Sequence, residues 1–128
     1  MMRVYVDSDV LIWHLRGERK AAALLRRLAG APRVELWTGA MQRAEIAFFM
    51  RADEEAGTLS LLSRLKAQPV TQPIVDRAGA LYRRWHGSHG IDVNDALLAA
   101  SAAVTGGKIV TQNVRHYPMP DVVAEKGW

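Results

Sequence analysis

Three carboxylates and one carboxamide, spread across a chain of 128 residues, each stand at the margin of an apolar segment. Asp7 follows the run Val4-Tyr5-Val6, and Glu45 lies in Met41-Gln42-Arg43-Ala44-Glu45-Ile46-Ala47. Asp95 opens the alanine-rich stretch Ala96-Leu97-Leu98-Ala99-Ala100, and Asn113 comes just after Ile109-Val110-Thr111. A carboxylate placed directly after a buried strand is costly unless it meets a partner or a metal. If these groups converge, their oxygen atoms suit a hard divalent cation, magnesium or manganese. Asp92 is a reserve ligand, and Asp9 and Thr111 are groups that could hydrogen-bond the ligating carboxylates from behind.

Each residue also has an ordinary reading. Asp7 could be a turn or cap residue, and Glu45 could pair with Arg43. Asp95 suits the first turn of a helix, where the dipole favours an acid, with Asp92 or Asn94 as the cap. Turn chemistry accounts for Asn113 as well as ligation does.

Other chemistries are excluded more sharply. There is no cysteine, so disulfide frameworks, zinc ribbons and thiol catalysis are out. No glycine-rich phosphate loop is present, which argues against a nucleotide cofactor. Ser8, Ser88 and Ser101 lack the surroundings of a nucleophile elbow. His14, His86, His89 and His116 have no metal-ligand spacing and read as surface or structural residues. No window approaches the ~18 apolar residues of a membrane span, and the first apolar run is too short for a signal peptide. The expectation is a soluble, cytoplasmic protein. The 17 basic residues against 13 acidic ones give a net charge of +4, compatible with a polyanionic partner. A basic rim holding Arg26, Arg27, Arg83 and Arg84 around an acidic centre would serve such a partner; an ordinary solvated surface is the alternative.

The elements that must position these groups follow from pattern. Strands are expected at Val4–Val6, Val34–Trp37, Gln68–Val70, Lys108–Thr111 and Val122–Ala124. Helices are expected at Val10–Leu15, Glu18–Leu28, Ala40–Ala56, Leu59–Leu65, Ile74–His86 and Asp95–Val104, the last apolar nearly all round and hence central. Gly87–Gly90 reads as a loop, and Phe48 as part of an apolar helix face. Alternating strands and helices argue for one α/β domain over residues 1–128, with a mainly parallel sheet covered on both faces. In such sheets ligands bind at the carboxyl ends of the strands, where Asp7 and Asn113 fall.

Taken together, Val4-Tyr5-Val6-Asp7-Ser8-Asp9-Val10-Leu11-Ile12, Ala44-Glu45-Ile46, Asp95 through Ala102, and Ile109 through Pro118 resemble the PIN-domain nucleases. Within them the chain is most similar to the toxin subunits of the VapBC toxin–antitoxin type. The resemblance spans nearly the whole chain and implies a three-layer α/β/α domain that cleaves RNA with Mg²⁺ or Mn²⁺. It assigns Asp7, Glu45 and Asp95 as metal ligands and catalytic carboxylates. Asn113 stands where the family has Asp or Asn, and asparagine brings an oxygen but no charge. The resemblance also implies a homodimer and a cognate antitoxin covering the site, in a pair that inhibits translation. Two other readings stand beside it. One is a receiver-like signalling domain using Thr111 and Lys108, although no strand in mid-chain ends in aspartate. The other is a PIN-fold module that binds RNA or protein with little or no turnover.

Overall fold

The first strand shows how the chain builds two cores at once. In the computed structural model, which describes residues 1–128, β1 spans Met2–Val6. Successive side chains of a strand point to opposite faces. Val4 and Val6 therefore pack with Val10, Leu11, Leu24, Leu62 and Val110, while Tyr5 packs with Ile74, Leu98 and Ile109 on the other side. Both faces of a parallel sheet need such cover.

Helices α1 (Ser8–Leu15) and α2 (Arg19–Gly30) lead to β2 (Val34–Gly39). Helix α3 (Ala40–Ala47), a single turn at Ala52–Glu54 and α4 (Glu55–Leu62) lead to β3 (Lys66–Gln68). Helices α5 (Gln72–His89) and α6 (Val93–Thr105) precede β4 (Lys108–Thr111), and β5 (Ala124–Lys126) comes last. The strands are all parallel in the order β3-β2-β1-β4-β5, with Val6 in register with Val110. The chain winds to one side of β1 and later returns to the other, so a crevice opens at the carboxyl ends of β1 and β4. No strand in mid-chain ends in aspartate, since β2 closes on Gly39 and β3 on Gln68; the receiver-like reading loses its phospho-acceptor.

The expected elements appear, with shifted ends. The helix expected over Ala40–Ala56 stops at Ala47, and Phe48 and Phe49 are 80% exposed instead of facing the core. A new helical start follows, where the Glu54 carboxylate accepts from the Arg51 N–H at 2.8 Å. The strand expected at Gln68–Val70 lies at Lys66–Gln68, because Pro69 has no N–H to continue the ladder. The strand expected at Val122–Ala124 begins at Ala124 instead, with Val122 buried in the core before it. The expected loop at Gly87–Gly90 is the last turn of α5, which Gly90 ends in the left-handed conformation at φ 64°. At Gly39 an added Cβ would run into the carboxamide end of the Gln42 side chain, which would have to shift. Helix α3 begins directly where β2 ends and carries Glu45 toward the crevice.

Candidate functional site

Asp7 leaves β1 at the crevice. Its N–H still donates to Val110 O at 3.0 Å, so the residue is pinned to the central strand pair. It is also the N-cap of α1, with the Ser8 N–H donating to Oδ1 at 2.8 Å. On Oδ2 two hydroxyls converge, Tyr117 at 2.8 Å and Thr111 at 3.0 Å. Asp7 is only 7% exposed. Burial, reinforced by the nearby Asp9 charge, pushes its carboxyl up to about 6, and the hydrogen bonds from Tyr117, Thr111 and Ser8 hold it below where burial alone would take it.

Asp95 comes from the start of α6, whose buried face (Ala96, Leu98, Ala99, Ala100, Ala102) fixes it against the sheet. Asp92 is the N-cap, and the two acids form a reciprocal box: the Asp95 N–H donates to Asp92 Oδ1 at 2.7 Å, and the Asp92 N–H to Asp95 Oδ2 at 3.1 Å. His116 Nδ1 lies 3.0 Å from Asp95 Oδ2. Asp95 Oδ1 is 3.4 Å from the Tyr117 hydroxyl, the same hydroxyl that reaches Asp7. Burial raises the Asp95 carboxyl above the usual range.

Glu45 projects from α3 and is held at both oxygens. The Ser8 hydroxyl donates to Oε2 at 3.0 Å and the Asn94 amide to Oε1 at 2.9 Å. The pairing with Arg43 does not form, because Arg43 turns to Leu62 O. The buried Gln42 donates to Asn94 O at 3.1 Å and so ties α3 to the start of α6. Glu45 also lines a cleft of about 410 Å³ with Ile12, Leu15, Arg16 and Phe49.

The remaining sequence candidates take supporting places. Asp9 accepts from the Gln112 N–H at 2.9 Å and lies 3.3 Å from the Thr111 hydroxyl, so it anchors the segment after β4. Thr111 is fully buried. Asp92 is exposed and engaged as a cap. Asn113 is exposed, and its side chain meets His116 at 3.0 Å, so it reaches Asp95 only through that histidine. Sequence reasoning missed Tyr117, Ser8, Asn94 and His116. Each adjoins a candidate acid in sequence or follows β4 closely, but only the fold shows where their polar atoms go.

The donor set is of the right kind for a hard cation: carboxylate oxygens at a buried strand end, with no Lys or Arg in ion-pair contact with Asp7, Asp9, Glu45, Asp92 or Asp95. In this arrangement no group of three or more acids and histidines is gathered at metal-binding distance. The Tyr117 hydroxyl stands between Asp7 and Asp95.

The chain belongs to the PIN-domain family, whose model matches residues 4–121. Among its relatives are the ribonucleases VapC19 and VapC10 of Mycobacterium tuberculosis, each 38% identical. The match to VapC19 covers 91% of this chain and 94% of the relative, and that to VapC10 covers 91% and 86%. The fold is also that of VapBC2 from Rickettsia felis, solved bound to a promoter DNA fragment, with a TM-score of 0.79 at 20% identity over 99% of both chains. VapBC-1 from nontypeable Haemophilus influenzae gives a TM-score of 0.79 at 19% identity over 98% of both. The expected three-layer α/β/α architecture is thus the observed one.

Proposed function

We propose that this chain, as a single domain over residues 1–128, is a metal-dependent endoribonuclease and the toxin of a toxin–antitoxin pair that inhibits translation. One observation carries the reading: Asp7 from β1 and Asp95 from α6 meet at one hydroxyl in the crevice, with no Lys or Arg to neutralise them. The similarity to proteins named as VapC ribonucleases supports the substrate class.

Asp7, Asp95 and Glu45 would hold Mg²⁺ or Mn²⁺, with Asn113 contributing an uncharged oxygen after a rotation of its side chain. The bound ion would supply Lewis acidity toward the scissile phosphate and the attacking water. Glu45 is the residue to orient that water and accept its proton, since Ser8 and Asn94 hold its carboxylate in place. Asp7 and Asp95 keep the centre anionic until a cation enters, which otherwise repels an RNA backbone.

The surface suits the expected partners. Phe49, 80% exposed, lines the cleft beside Glu45 together with Ile12, Leu15 and Met50, an apolar wall that calls for cover; an antitoxin segment there would also close the site. A second apolar groove between α5 and α6, lined by Val75, Tyr82, Val93 and Leu97, is the place we assign to a second copy of the chain. No helix is long and apolar enough to cross a membrane, and we place the protein in the cytoplasm with its RNA.

The test is purified, antitoxin-free protein against a cellular RNA pool with Mg²⁺ or Mn²⁺, beside an EDTA control and Asp95→Asn. Discrete cleavage, lost in both controls, is the expected result. Intact RNA from folded protein would favour a non-catalytic binding module, the reading that an amide at Asn113 favours.

A further inference from the structure

Tyr117 has no role in the chemistry so far, yet it is 4% exposed and touches acids from two different elements. Its ring belongs to the core formed by Tyr5, Ile74, Leu98 and Ile109, and its N–H donates to Val114 O at 3.0 Å. Packing on that scale leaves no room for the ring to swing aside. The hydroxyl is therefore a fixed post in the crevice.

A hydroxyl has one proton to give. The Tyr117 proton goes to Asp7 Oδ2 at 2.8 Å, rather than to Asp95 Oδ1 at 3.4 Å. Thr111 gives its proton to the same Oδ2 at 3.0 Å. A carboxylate oxygen offers about two acceptor sites, so Oδ2 is saturated. Oδ1 receives only the Ser8 N–H and keeps one site open. Asp95 is polarised in the same sense: Oδ2 faces the Asp92 N–H and His116, while Oδ1 has only the long Tyr117 contact.

We propose that Tyr117 is a positioning residue of the metal centre, whose hydroxyl commits Asp7 to bind a divalent cation through Oδ1 and sets the spacing between Asp7 and Asp95. The proposal rests on the metal-dependent reading above. Hydrogen-bond partners behind metal ligands typically contribute 10–100-fold to affinity when removed. A hydroxyl that is held by the core, and not by a loop, fits that role.

The test is Mn²⁺ binding to the full, antitoxin-free chain, followed by calorimetry and by the electron paramagnetic resonance of bound Mn²⁺, for wild type and Tyr117→Phe. Metal-free thermal melts of both proteins establish that the variant is folded. The expected result is a Kd raised roughly 10-fold or more in Tyr117→Phe, with an altered resonance spectrum. An unchanged or tighter Kd in folded Tyr117→Phe overturns the proposal, because a purely structural tyrosine would move the melt and not the affinity. If Tyr117→Phe does not fold, Thr111→Val removes the other donor to Oδ2 and decides in the same way. Wild-type protein that binds no Mn²⁺ overturns the metal-dependent reading itself, and the tyrosine's role with it.

Discussion

The acids at the margins of this molecule and the acids at its centre live under opposite rules. Toward the surface three acids each have a base: Glu35 meets Lys66 at 2.8 Å, Glu125 meets Lys108 at 3.0 Å, and Asp121 meets Arg77. Lys66 holds the Glu35 carboxyl below its usual range. In the crevice Asp7 is buried and pushed up to about 6, with hydroxyls and one amide as its only partners. Hydroxyls lessen the cost of an ionised carboxylate but do not cancel its charge. The fold supplies lysines and arginines freely at its rim and none to Asp7, Glu45 or Asp95, leaving their charge for something that binds.

That contrast is broken most severely at Asp7. Asp7→Asn should reduce cleavage on the order of 10³-fold, the scale of a lost electrostatic contact at a reacting centre, measured on the RNA target at saturating Mg²⁺. The same change should stabilise the metal-free protein. A carboxyl raised in the folded state favours folding while protonated, below the ordinary Asp value, and that contribution is lost as pH rises through about 6. At pH 8 the neutral amide should therefore gain about 3 kcal/mol over the wild type, with the gain shrinking toward zero near pH 4. Denaturant melts at both pH values decide it, and a destabilised Asp7→Asn at pH 8 would sink the account.

Adding Mn²⁺ should close that gap. At a concentration of about 100 Kd the wild type should gain about 2.7 kcal/mol, and Asp7→Asn little, read as the shift in melting midpoint. Smaller still, Asp92→Ala should cost about 1 kcal/mol through the lost cap of α6 while keeping most of the cleavage, which would separate a capping Asp92 from a ligating one. Glu35→Gln at the paired margin is the least consequential change: a slightly lower melting temperature and unaltered Mn²⁺ binding.

The strand ends and the acids were legible because each depends on local pattern: Val4-Tyr5-Val6 before Asp7, and the apolar α6 behind Asp95. The break after Ala47 was not read, although Asp53, Glu54 and Glu55 supply the acidic first turn of a new helix. Apolar residues at Ile46, Phe48 and Phe49 masked it, and nothing local says that both phenylalanines face outward. Asp92 carried both a capping and a ligating expectation, and its hydrogen bonds place it as the cap. Tyr117 was hidden for a different reason. In His116-Tyr117-Pro118 it reads as a loop aromatic, and its hydroxyl acquires meaning only when β4 lies beside β1.

That pairing also orders the protein in time. Asp7 is synthesised well before its hydroxyl donors Thr111 and Tyr117, which lie 104 and 110 positions later. A nascent chain that has not yet emerged past β4 has its first strand open on one side and its leading carboxylate unsupported. Contacts so distant in sequence form late. Each new molecule thus gains a supported Asp7 only after β4 and Tyr117 have been made.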